Sequence, residues 1–155
     1  VSPKPRAYLK PYKETTMTSY QPISVTTATF SVTGQHAESV INANRAGGIT
    51  FTLPASSGSG AVYNFFVGTT FTSSGIIKVA NSTDIMQGVL SVATDIAGVT
   101  CPTAADSDTI TMNGTTSGGL KGSYVTLIDV ASGVWEVSGA LVSTGAESTP
   151  FSATV

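Results

Sequence analysis

GGITFTLPASSGSGAVYNFFVG, residues 47–68, holds two short runs whose alternation decides the fold. In the first, Ile49, Phe51 and Leu53 point one way while Thr50 and Thr52 point the other. A period of two is the mark of a half-buried strand, because successive side chains leave opposite faces of a pleated backbone. Gly47-Gly48 opens that run and Pro54 closes it. Residues 56–60, SSGSG, read as a flexible loop, and the second run follows at 62–67. There Tyr63, Phe65 and Val67 share one face, and the opposite face carries Val62 and Phe66. A strand apolar on both sides is central in a sandwich or has one face against another subunit.

The same reading extends outward in both directions. Ala28, Phe30 and Val32 alternate with Thr27, Thr29 and Ser31. Residues 76–80 and 85–93 are further strands, separated by the turn-like Asn81-Ser82-Thr83-Asp84. Residues 109–112 lead into Asn113-Gly114, a strong turn signal that the following TTSGG lengthens into a loop. Residues 123–130 and 134–142 form a hairpin through Ala131-Ser132-Gly133, with the glycine suited to a left-handed position, and Trp135, Val137 and Leu141 share one face of it. No run has the sustained 3.6-residue period of a helix. The chain from residue 23 to 155 is therefore expected to be one all-β domain, an antiparallel sandwich or jelly-roll-like body.

Residues 1–22 differ. Pro3, Pro5, Pro11 and Pro22 remove backbone donors and bias their predecessors to extended geometry, so an extended arm is expected. Lys4, Arg6, Lys10 and Lys13 carry its charge with no acid among the first thirteen residues, and Tyr8, Tyr12 and Tyr20 lie between and beyond them. From Glu14 onward there are three bases against nine acids, a net of −6. A small basic arm thus precedes an acidic body. Four spread charges are too few for a nucleic-acid patch, and an acidic protein surface is the expected target, with Lys4, Arg6, Tyr8, Lys10, Tyr12 and Lys13 as partner-binding residues. Tyrosines suit that role because they bury area while the hydroxyl finds a partner.

Only 10% of the chain is charged, against about 25% in an average soluble protein, and Ser, Thr and Gly stand in the place of the charge. Weak colloidal repulsion follows, and much of the surface is expected to be covered by partner subunits. The start VSPKPR lacks an apolar signal core and no eighteen-residue apolar run occurs, so neither secretion nor membrane insertion is expected, and the opening Val fits removal of an initiator Met.

Chemistry is sparse. His36 lies in the turn-like TGQHAES and reads as a solvated side chain. Cys101 is the single cysteine, so no intrachain disulfide forms, and it precedes Pro102 with no base nearby to activate it. GTTSGGLKGS, residues 114–123, departs from the phosphate-loop pattern because Lys121 does not directly follow the second glycine and no hydroxyl residue follows it. Asp95, Asp106 and Asp108 are more readily turn formers than calcium ligands, which must number six to eight oxygens. No catalytic residue, metal, cofactor or small-molecule substrate is expected.

Three stretches carry a resemblance: residues 47–70, GGITFTLPASSGSGAVYNFFVGTT; residues 76–88, IIKVANSTDIMQG; and residues 105–141, ADSDTITMNGTTSGGLKGSYVTLIDVASGVWEVSGAL. From about residue 47 to 151 the chain resembles tailed-bacteriophage structural proteins, and its short β body with a basic arm is similar to capsid decoration, or cement, proteins. The resemblance implies a homotrimer on the outer surface of the virion head, assembled in the host bacterial cytoplasm. Such a trimer would bind the major capsid protein and clamp neighbouring capsomers. The competing expectation is a tail or fibre-tip protein that binds host surface glycan, with Trp135 or Tyr63 stacking on a sugar.

Overall fold

The computed structural model describes residues 21–155. The six arm residues singled out above, Lys4, Arg6, Tyr8, Lys10, Tyr12 and Lys13, lie outside them, as does nearly all of the arm assigned to residues 1–22. In chain order the strands are β1 (Ile23–Val25), β2 (Thr29–Ser31), β3 (Val40–Ala43), β4 (Thr50–Thr52), β5 (Val62–Val67) and β6 (Gly75–Lys78). They continue with β7 (Ile85–Ala93), β8 (Gly98–Pro102), β9 (Thr109–Met112), β10 (Tyr124–Ala131), β11 (Val134–Val142) and β12 (Phe151–Ser152). Among the described residues the only helical piece is a single 3-10 turn at Gly34–His36.

The strands make two mixed sheets packed together: seven strands in the order β1-β3-β5-β10-β11-β7-β8, and five in the order β12-β9-β6-β4-β2. The first six strands alternate between the sheets. Each return to a sheet therefore comes one full turn of chain later and in the same direction, which makes β1/β3/β5 and β2/β4/β6 parallel. Parallel neighbours need a long crossover, commonly a helix, and here a strand of the opposite sheet provides it. The expected antiparallel sandwich or jelly roll is corrected accordingly. Five of the ten strand pairs are parallel, the fifth being β7 with β11, while the all-β, two-layer body stands.

Registers within the coil keep like with like. Ile23, Ile41 and Phe65 align in one sheet, and Phe30, Phe51 and Ile77 in the other. Phe51 meets Phe65 across the layers edge to face at 5.2 Å between ring centroids, and Phe30 meets Phe51 at 6.1 Å. Ile49, Phe51 and Leu53 are all buried, as their alternation requires, and so are Tyr63, Phe65 and Val67. Each such side chain contributes about 1.5–3 kcal/mol on leaving water. The hairpin of β10 and β11 lies between β5 and β7, bulged at Asp129/Ala131 and turned through Gly133 at φ +81°. Trp135, Val137 and Leu141 of that hairpin share the core face.

Candidate interaction face

The two outer faces of the sandwich differ in chemistry, because alternation fixes which residues reach them. On the five-stranded sheet, Phe30, Phe51, Ile77 and Ile110 turn inward, which leaves Thr29, Ser31, Thr50, Thr52, Ile76, Lys78 and Thr111 outward. Hydroxyls dominate that face. On the seven-stranded sheet the outward positions are apolar or neutral with one exception, Glu136. Val40 and Asn42 come from β3, Val62, Asn64 and Phe66 from β5, and Tyr124, Thr126 and Ile128 from β10. Beside them β11 sends out Glu136, Ser138, Ala140 and Val142, and β7 sends out Gln87 and Val89. Phe66 lies directly opposite Tyr124 in the antiparallel pair, and they are 36% and 50% exposed. Most of the exposed large apolar side chains among the described residues lie on this one face. A contiguous apolar patch of that kind marks an interaction site on a soluble protein, whereas scattered singles do not.

The single charged side chain at an outward position of β3, β5, β10, β11 and β7 is Glu136. It sits between Ile128 of β10 and Gln87 of β7. Its Oε2 atom is buried and has no hydrogen-bond partner, and Asn42 Oδ1 on the same face is in the same condition. Both atoms are covered by the body's own neighbours and find no donor there, while Glu136 as a residue is only half-buried, which leaves its carboxylate within reach of a partner's base.

The remaining candidates resolve into structural roles. Asp129, almost fully buried, gathers the loop of residues 56–60. Its carboxylate accepts the amides of Ser57 (3.0 Å), Gly58 (2.8 Å) and Ser59 (3.0 Å) and the hydroxyls of Ser57 (3.1 Å) and Ser59 (2.6 Å). Burial alone would raise its pKa, but the hydrogen bonds from Ser59, Gly58 and Ser57 outweigh that and bring it down to about 2. Asp84, also buried, accepts the Ser56 amide at 2.9 Å. Asp108 accepts the Thr154 amide (2.8 Å), the Val155 amide (3.1 Å) and the Thr109 hydroxyl (2.7 Å), which seat the last residues of the chain. Asp95 and Asp106 are exposed, and no three potential metal ligands cluster among the described residues.

Cys101 is buried, and burial pushes its thiol pKa up, away from nucleophilic use. His36 is not simply solvated. It is half-buried, its Nδ1 accepts the Thr33 amide at 2.9 Å, and its ring packs 5.0 Å from that of Phe30, so it holds the turn. Trp135 and Tyr63 pack edge to face at 5.8 Å inside the core, which corrects the expectation that either stacks on a sugar. The sequence reading raised an apolar outer face at Val62 and Phe66 but missed Glu136, whose isolation appears only once five strands are in register. The chain matches no protein-family model, no curated protein and no solved structure.

Proposed function

We propose that the protein is a virion structural protein, a capsid decoration protein that binds the outside of a tailed-phage head and clamps neighbouring capsomers, associating with its own copies as a homotrimer. The observation that carries the reading is the contrast between its faces, one hydroxyl-rich and suited to water, the other apolar with a single carboxylate and suited to cover by another subunit. The resemblance of residues 47–151 to tailed-phage structural proteins supports the same reading, as does a chain of which only 10% is charged. In this reading the basic arm reaches over adjoining subunits, and linking several of them makes release multivalent, so modest contacts add up to firm attachment.

Immunogold labelling of intact virions with antibodies to this chain tests the proposal. Uniform label over the head is expected. Label confined to the tail or its tip would overturn it in favour of host recognition. Deleting residues 1–20 is expected to preserve the fold and weaken head binding, and unchanged occupancy on heads would sink the role of the arm.

A further inference from the structure

The apolar face of the seven-stranded sheet carries one carboxylate, Glu136, that no base among the described residues meets. Glu136 and Asn42 offer acceptors, each with a buried oxygen that lacks a donor. The three bases of the body are placed elsewhere. Arg45 donates to the Gly48 carbonyl, Lys78 lies on the other sheet, and Lys121 is exposed beside Thr70. The chain's other four bases, Lys4, Arg6, Lys10 and Lys13, belong to one short segment that also carries Tyr8 and Tyr12. We propose that segment 4–13 of a neighbouring copy lies across this face, with its tyrosines on the Phe66–Tyr124 patch and its bases meeting Glu136 and Asn42.

Spacing agrees with that occupant. From β3 to β11 is three strand intervals, about 14 Å, and Asn42 and Glu136 differ by two side-chain rows, about 13 Å, so they lie roughly 20 Å apart on the diagonal. An extended chain covers that in about six residues, the separation of Lys4 and Lys10. Charge agrees as well, since four bases with no acid among them would face a body, residues 23–155, of three bases against eight acids. A second copy of the same face is a poorer occupant, because two-fold pairing would bring like carboxylates together. A neighbouring copy supplies the occupant because the proposed function brings copies together.

This inference rests on the self-associating part of the proposed function and not on the capsid. Full-length chains with natural and with heavy nitrogen are mixed, allowed to exchange, and joined by a zero-length carbodiimide, and the linked peptides are read by mass spectrometry. Links from Glu136 to Lys4, Lys10 or Lys13 between light and heavy chains are expected. In parallel, Glu136→Gln, an outward substitution that leaves the core intact, is expected to weaken self-association about tenfold, and deletion of residues 1–20 at least as much. Glu136 links confined to one chain would overturn the inference, as would arm lysines linked only to other carboxylates or association unchanged by both variants. A chain that is monomeric at every concentration yet still decorates heads would overturn it together with the homotrimer, while leaving head decoration standing.

Discussion

Replacing Asp129 by Asn keeps the shape of the side chain and removes both its charge and half of its acceptor capacity. The carboxylate accepts from three amides and two hydroxyls of one loop. An amide in its place would turn an NH2 group toward donors. A pKa held near 2 in the folded chain, against an ordinary 3.8, corresponds to about 2 kcal/mol of stability that belongs to the ionised form. Asp129→Asn is therefore expected to lose about 2–3 kcal/mol at pH 7, which for a domain of this size lowers Tm by roughly 5–10 °C.

The pH dependence carries the sharper test. A folded-state pKa below the unfolded one gives stability that is fully present above the unfolded value and is lost as pH falls through the folded one. The gap between the native chain and the variant should be constant above about pH 5 and should narrow between about pH 4 and 2. Urea denaturation of both proteins across that range measures it. A variant within about 0.5 kcal/mol of the native chain at pH 7, or a gap indifferent to pH from 5 to 2, would refute the reasoning.

Three further outcomes follow from the geometry. Asp108→Asn should free the amides of Thr154 and Val155, cost on the order of 1 kcal/mol and speed hydrogen exchange at residues 151–155 while that of the β10–β11 hairpin is unchanged. Burial raises the pKa of Asp108, but the bonds from Thr154, Thr109 and Val155 lower it overall, so its contribution too is present at neutral pH and lost in acid. Gly88 sits at φ +150°, where an added Cβ would run into the Val137 carbonyl oxygen, and Gly88→Ala should split β7 from β11 and leave little folded protein in a soluble-expression and circular-dichroism assay. Phe66→Ser with Tyr124→Ser removes a cross-strand pair that the body buries only in part, so stability should fall by about 1–3 kcal/mol with the fold retained while self-association measured by sedimentation weakens at least tenfold.

Much of the strand content was legible because alternation is local. The runs at 62–67, 85–93 and 109–112 coincide with β5, β7 and β9, and the Ser132-Gly133 turn lies where a left-handed residue was called for. Pairing was not legible. Whether Phe51 lies beside Ile77 in parallel or against another strand in reverse depends on chain direction through the opposite sheet, and no residue pattern inside a three-residue strand records that. β3 and β8 escaped for a different reason. VINA is only four residues long with one polar member, and GVTCP sits on an edge with only Cys101 buried, so neither shows a run of alternation long enough to read. Asp84 and Asp108 look like turn formers in sequence and Asp129 like an ordinary strand residue, and the segments they gather are distant along the chain, 72 residues in the case of Ser57 and Asp129.

The place of the β10–β11 hairpin bears on how the chain is made. Its two strands occupy the middle of the larger sheet, yet they are synthesised after both of their flanking neighbours. At a translation rate of about 5–20 residues per second, roughly 4–15 s separate the appearance of residue 67 from that of residue 142. Through that interval β5, and from residue 93 onward β7 as well, presents an unfinished edge with apolar side chains and open backbone groups, the condition under which nascent chains pair with one another. Insertion of one late hairpin closes both edges at once. A ribosome stalled shortly before residue 142 would thus hold a chain with a joined first half and an open seam, and chaperone demand during production should peak there.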